Sequence, residues 1–330
     1  MPTFLAPSDG ASLFYRYYLP STDRPHRPSP SSAYPARQPL TLVFLHGWPM
    51  SSRMYDQLIL PLVETHRYPV IAPDRRGFGR SDWAGPNTAP ENAGEVSYDT
   101  FVDDAVALLE HVFASAAKHA HGAPPEFVFV AASMGTSESV LLRNASQTLR
   151  EKCKGFVWLG PNMPYCIGSE ECAAATPVEV WDQLIQGFRG KGHKDFIHEA
   201  FPGNFRADLP GNEMSAVTLG YFERLVQEAD PIAVERCAVI LQKPMAAELK
   251  AWGKKAETEE GERVPVLVLH GDSDTGTPIE ASSLLVKEIL PWSVLKVYKG
   301  AGHGLYLTHD EQVIKDMLEF LEPIVAQLKQ

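Results

Sequence analysis

Phe127-Val128-Phe129-Val130-Ala131-Ala132-Ser133-Met134-Gly135-Thr136 is an apolar run that stops at a serine flanked by small residues. Residues 127–130 are β-branched or aromatic without a polar break, the pattern of a parallel strand buried on both faces. After Gly135, Glu138 to Leu149 predicts a helix, with Val140, Leu141, Leu142 and Ala145 for its buried side. Ser133 therefore falls on a sharp strand-to-helix bend, where only small neighbours let the two elements approach, and Ala131, Gly135 and Thr136 are those neighbours. On such a bend the Ser133 hydroxyl is open to a substrate. The Met134 amide sits at a helix N-terminus, where unpaired N–H groups favour developing negative charge. The stretch predicts a nucleophile with half of an oxyanion hole. The usual form is G-x-S-x-G, and Ala131 takes the place of the first glycine. A turn that merely opens an ordinary helix would carry the same letters, so the rest of the chain decides.

With 330 residues, 44% of them hydrophobic, the chain has material for one large core and an insertion. A formal net charge of -11 argues against a nucleic-acid partner or an anionic membrane surface. The nearest thing to a basic patch, Arg189 to Lys194, reads as a solvated helix end. The opening Met-Pro-Thr-Phe-Leu-Ala-Pro-Ser-Asp-Gly predicts no signal peptide, and no apolar run approaches the ~20 residues of a membrane span. The four cysteines, Cys153, Cys166, Cys172 and Cys237, show neither C-x-x-C spacing nor a histidine pattern for zinc. A soluble, cytoplasmic protein without metal or organic cofactor is expected. Its partner is a small-molecule substrate, and its oligomeric state is open.

Taken in order, Phe4 to Leu19 predicts an edge hairpin around Asp9-Gly10. Pro20 to Pro39, rich in Pro and Ser, predicts an exposed loop. Leu40 to Leu45 is a buried strand running into His46-Gly47-Trp48-Pro49-Met50, where the glycine lets backbone approach a ligand and frees the Trp48 amide as a second oxyanion donor. A helix from Met54 to Glu64 and a strand at Val70-Ile71-Ala72 lead to Asp74-Arg75-Arg76-Gly77-Phe78-Gly79-Arg80-Ser81, a charged turn expected to act as scaffold. Ala84 to Ser97 reads as loop, Tyr98 to Ala117 as a long amphipathic helix, and Cys153 to Leu159 as a strand. From Gly160 to about Arg263 the strand–helix alternation lapses into helical stretches with many aromatics, among them Trp181, Phe188, Phe196 and Phe222. Most of these rings must pack the insertion's own core, and some would close an apolar pocket over Ser133. Alternation returns with the strand Val264 to Leu269, a helix from Ile279 to Leu290, a strand from Val294 to Tyr298 and a helix from Asp310 to Leu328. Division into a core of residues 1–160 and 264–330 with a helical lid of residues 161–263 follows.

These strings, in this order, resemble the α/β-hydrolase superfamily over essentially the whole chain outside the insertion. His46-Gly47-Trp48-Pro49, Asp74-Arg75-Arg76-Gly77 and the stretch around Gly302-His303-Gly304-Leu305 look most like serine esterases and cofactor-free haloperoxidases (perhydrolases). The resemblance implies an α/β fold with a mostly parallel eight-stranded sheet flanked by helices, and a triad in the chain order serine, acid, histidine. Ser133, Asp274 and His303 fit that order. The imidazole takes the proton of an otherwise poor nucleophile, and the acid fixes the imidazole tautomer and steadies its cation. Asp272 is the rival acid, although its place at the strand end suits a turn cap. His270, closing a buried strand, and His309, opening the last helix, are the rival bases. Ala131, Thr136 and the long insertion depart from the family pattern and bear on substrate more than on mechanism.

The leading expectation is hydrolysis of an ester or lactone through an acyl-enzyme. Acyl transfer, cyclisation or C–C bond lyase chemistry on a biosynthetic intermediate would use the same residues behind a water-excluding insertion. Ligand reception on a hydrolase scaffold is the third reading, and its usual sign, a broken triad, is absent.

Overall fold

In a computed structural model of the chain, residues 2–21, 37–83, 96–120, 124–189 and 193–329 are described. Most of the Pro- and Ser-rich loop, much of the loop from Ala84, and the centre of the basic stretch Arg189 to Lys194 fall outside them.

Among the described residues, eight strands form one sheet: β1 (Thr3–Leu5), β2 (Ser12–Tyr18), β3 (Leu40–Leu45), β4 (Val70–Pro73), β5 (Glu126–Ser133), β6 (Cys153–Pro161), β7 (Val266–Gly271) and β8 (Val294–Tyr298). Their order across the sheet is β1-β2-β4-β3-β5-β6-β7-β8. The first three in that order pair antiparallel, and every pair from β4 to β8 is parallel. The edge hairpin is present as expected, with Phe4 opposite Leu13. Asp9 Oδ1 closes its turn by accepting the Ala11 N–H at 3.0 Å. β5 lies at the centre, in register with β3 from Leu40↔Glu126 to Leu45↔Ala131.

The helices are α1 (Asp56–Glu64), α2 (Tyr98–Ala120), α3 (Met134–Ala145), α4 (Gln147–Lys152), α5 (Val178–Gly187), α6 (His193–Phe205), α7 (Ala216–Gln227), α8 (Pro231–Ile240), α9 (Ala246–Thr258), α10 (Ser283–Ile289), α11 (Leu305–Thr308) and α12 (Asp310–Leu328). Side-chain alternation in β5 divides the core. Val128 and Val130 pack with Leu58 of α1 and Met317 of α12 on one face. Phe127 and Phe129 pack with Phe113 of α2, Leu142 of α3 and Leu249 of α9 on the other. Each such ring, fully removed from water, contributes about 1.5–3 kcal/mol. No helix among the described residues is long and apolar enough to cross a membrane.

Two boundaries differ from expectation, each for a local reason. The helix after Ser133 begins at Met134 and not at Glu138, so the bend has no intervening loop. It also stops at Ala145, because extended Ser146 caps a separate α4 by accepting the Leu149 N–H at 3.2 Å. The last helix of the expected 161–263 stretch packs on the sheet. Trp252 of α9 lies 5.3 Å from the Phe156 ring and 6.2 Å from Trp158 of β6, so α9 covers the sheet with the core helices. Helices α5 to α8 are what stand between β6 and that layer.

Candidate active site

Ser133 ends β5 with φ 50° and ψ −126°, a conformation that costs a non-glycine residue about 1–3 kcal/mol and is stored where surrounding structure enforces it. Thr136 supports the bend, its Oγ1 donating to the Ser133 carbonyl at 2.7 Å and to Asn162 Oδ1 at 3.2 Å. Met134 is the first residue of α3, so its N–H has no acceptor one turn back within the helix. From β3, Gly47 closes on the serine from the other side: a Cβ at Gly47 would stand 3.2 Å from the Ser133 Cβ. Trp48 follows it and lines the same cavity as Ser133.

His46 holds that loop. Its Nδ1–H donates to the Gly47 carbonyl at 2.9 Å and its Nε2 accepts the Arg75 N–H at 2.9 Å. Burial, and then the Arg75 charge, keep its pKa well below 6.5, so the ring is neutral and serves as a brace. Arg75 in turn donates to the His46 carbonyl at 2.7 Å and forks onto Glu138 of α3 at 2.5 and 2.6 Å. The expected scaffold role of Asp74-Arg75-Arg76 is what the side chains do. Asp74 accepts the N–H groups of Ser52 and Arg80, and Arg76 pairs with Asp9 and Asp104. Glu138 is the member of this network that sequence reasoning missed, and its signal is an acid inside the otherwise uncharged first half of a buried helix.

The acid and the histidine come from the loops after β7 and β8. Asp274 Oδ2 accepts His303 Nδ1–H at 2.7 Å, and the carboxylate is wholly buried. Oδ1 accepts the N–H groups of Gly276 and Thr277 at 2.9 Å each, and Oδ2 also accepts Thr277 Oγ1–H at 3.0 Å. Burial pushes the Asp274 pKa up, but the facing His303 charge and the hydrogen bonds of His270 and His303 more than reverse this and hold it far below 3.8. For His303, burial lowers the pKa while the Asp274 charge and hydrogen bond outweigh it, leaving the imidazole above 6.5. The His303 N–H donates to the Asn204 carbonyl at the end of α6 at 2.9 Å, tying the base's loop to the insertion.

The rivals stand elsewhere. Asp272 is exposed and caps the turn after β8, accepting the Gly300 N–H at 2.6 Å. His309 precedes α12, and its ring packs edge-on with Tyr298 at 5.8 Å. His270 is fully buried, with both ring nitrogens engaged. Among the described residues, no group of three or more His, Cys, Asp or Glu side chains is disposed to hold a metal ion. All four cysteines are free and buried.

Ser133 and His303 open on one cavity of about 340 Å³. Its wall is mainly apolar, with Trp48, Met54, Trp181, Phe188 and Phe201 prominent, and Asn204, Thr275 and Tyr306 add polar groups. Trp48 is a corner of this wall: its ring centroid lies 5.0 Å from Phe188 and 6.1 Å from Trp181, and its Nε1–H donates to the Val234 carbonyl of α8. A strained serine at a strand end and a buried acid–histidine pair meet at one apolar cavity.

The chain belongs to the alpha/beta hydrolase family, whose family model matches residues 42–316. It is 29% identical to a non-heme chloroperoxidase of Kitasatospora aureofaciens over 85% of this chain and 91% of the relative. It is 27% identical to a bifunctional esterase/perhydrolase of Acinetobacter calcoaceticus over 96% and 99%. Among solved structures, a bromoperoxidase from Bacillus anthracis superposes with a TM-score of 0.75 at 23% identity, covering 97% of this chain and 99% of that one. An esterase from Exiguobacterium antarcticum does so with a TM-score of 0.73 at 17% identity, covering 97% and 98%. The protein is thus an enzyme of the alpha/beta-hydrolase class.

Proposed function

We propose that the protein is a serine hydrolase that cleaves a carboxylic ester or lactone of an apolar small molecule through an acyl-enzyme. In this scheme Ser133 Oγ attacks the carbonyl carbon while His303 Nε2 takes its proton, and Asp274 holds the opposite ring nitrogen as N–H. The Trp48 and Met134 amides receive the oxyanion. Collapse expels the alcohol, protonated by His303, and a water activated by the same imidazole then releases the acid. No metal or organic cofactor enters the scheme. Helices α5 to α8 act as a lid over the cavity, and the free buried thiols fit a cytoplasmic setting.

The single observation that carries the proposal is that the positive-φ Ser133 and the Asp274–His303 pair serve one aromatic-walled cavity. Pre-steady-state hydrolysis of p-nitrophenyl esters of graded acyl length tests it: wild type gives a burst near one equivalent, and Ser133→Ala gives none. A wild type without burst or turnover on every ester would move the reading to acyl transfer, cyclisation or C–C bond lyase chemistry, or to ligand reception. Perhydrolysis is a second reading, favoured by a relative described as an esterase/perhydrolase and by Trp48-Pro49 beside the nucleophile. Hydrogen peroxide would then attack the acyl-enzyme in place of water, the acyl–Ser133 bond would break, and the acyl group would leave as a peroxyacid while Ser133 regains its proton.

A further inference from the structure

We infer that His270 is a positioning residue for the acid of the triad, holding Asp274 toward His303 from the far side of its carboxylate. The inference rests on the triad reading proposed above and deepens it. His270 is the penultimate residue of β7 and is fully buried. Its Nε2 lies 3.1 Å from Asp274 Oδ2 and 2.9 Å from the Thr277 carbonyl oxygen. Both of those are acceptors, so Nε2 carries the proton. Nδ1 is left with its lone pair and accepts the hydroxyl of Ser283, the first residue of α10, at 2.5 Å. The two acceptors at Nε2 set the His270 tautomer, and the Ser283 hydroxyl anchors the ring at its other nitrogen.

Asp274 Oδ2 consequently sits between two imidazoles, with His303 Nδ1 at 2.7 Å on the cavity side and His270 Nε2 at 3.1 Å on the core side. The titratable groups facing this carboxylate are His270 from β7, His303 from the loop after β8 and the Cys166 thiol from the segment after β6. Two consequences follow. The carboxylate plane is fixed, because Oδ1 is held by backbone N–H groups and Oδ2 by Thr277 and His270, so His303 meets one orientation of its acceptor. The His270 N–H also takes up part of the Oδ2 charge, which limits how far Asp274 raises the proton affinity of His303. A base held too strongly protonated cannot accept the serine proton near neutral pH. With both nitrogens occupied and no contact with the cavity, His270 acts through Asp274 and not on substrate.

The test compares His270→Leu, His270→Gln and Ser283→Ala with wild type, reading kcat and the acid limb of kcat/KM against pH on p-nitrophenyl butyrate. The limb of His270→Leu moves upward by about 0.5 pH unit or more, because His303 then faces a less shared charge. Its plateau kcat falls about 10-fold as the carboxylate loses its fixed plane. His270→Gln, which places an amide N–H near the Nε2 position, restores the wild-type limb. Ser283→Ala, which removes the anchor at Nδ1 and loosens the ring against Asp274, moves the limb in the same direction as Leu but less. A folded His270→Leu with wild-type limb and plateau overturns the inference. If that variant does not fold, a wild-type profile in Ser283→Ala overturns it. Ser133→Ala and His303→Ala run alongside: turnover surviving in them would remove the triad reading itself, whereas turnover lost in them and unchanged in the His270 and Ser283 variants removes only the positioning role.

Discussion

Gly135 of α3 packs so tightly on β3 that a Cβ added to it would stand 2.4 Å from the Leu45 carbonyl oxygen. The obstacle is backbone, and β3 is held on both sides, by β4 and β5, so neither partner yields cheaply. The same approach brings the Ser133 bend against the Gly47-Trp48 loop, since Leu45 is two residues from Gly47. Gly135→Ala is expected to destabilise the protein by about 1–3 kcal/mol, read as a lower midpoint of chemical denaturation. On the proposed mechanism it should lower kcat on p-nitrophenyl esters and leave KM less changed, because what moves is the spacing between Ser133 and the Gly47-Trp48 loop.

In the proposed mechanism the Asp274–His303 pair sets the pH dependence. With His303 raised above 6.5 by Asp274, kcat/KM should fall on the acid side with an apparent pKa above 6.5. Asp274→Asn removes the charge, so the limb should move down, and kcat should drop by about 10⁴ through loss of the tautomer hold. For stability the signs oppose. A raised histidine contributes fully below 6.5 and loses its contribution as pH rises through its folded value; a depressed carboxylate contributes above 3.8 and loses it as pH falls through its own. The pair therefore stabilises most between about pH 4 and 6.5. Denaturation midpoints of wild type minus Asp274→Asn across pH 3 to 9 should peak in that window, and a flat difference would refute it.

Arg75 and Glu138 form a buried ion pair, with 4% and 8% of their side chains exposed, that bolts the nucleophile helix to the loop after β4. Removing one partner strands the other charge out of water. Glu138→Leu should cost about 3–5 kcal/mol, while Arg75→Met combined with Glu138→Leu should cost less than the sum of the two single changes. Four denaturation curves complete that cycle, and strict additivity would contradict the pairing.

What was legible in the chain was local. The apolar run ending at Ser133, the Asp9-Gly10 hairpin and the strand Val294 to Tyr298 follow from side-chain period and turn chemistry over a few residues, and they stand where expected. Ser133 stood out because it ends a buried apolar run, whereas Asp274 and His303 rested on the family resemblance and its chain order. What was not legible depends on distant partners. The placement of α9 in the core needs Phe156 and Trp158, about a hundred residues away, to make Trp252 a core side chain. His270 looks like a rival base in sequence because its pairing with Asp274 and Ser283 is set by loop geometry and not by spacing. The insertion's aromatics announce packing without saying which rings face the cavity.

Phe188 is where that last ambiguity becomes a test. The ring is partly buried, edge-on to Trp48 at 5.0 Å and to Phe196 at 5.2 Å, and it forms part of the cavity wall. Truncation to alanine opens the wall where the insertion meets the oxyanion loop while leaving Ser133, Asp274 and His303 untouched. Phe188 packs at the end of an insertion helix and not in the sheet core, so the stability cost should fall below the roughly 3–5 kcal/mol of a fully buried phenylalanine. In the p-nitrophenyl ester series, Phe188→Ala should shift the best acyl length upward by about two carbons. Each added methylene that finds new apolar wall should gain up to about 0.8 kcal/mol in kcat/KM. An unchanged optimum would mean that the acyl chain extends toward another part of the wall, and the same series on Trp181→Ala would then locate it.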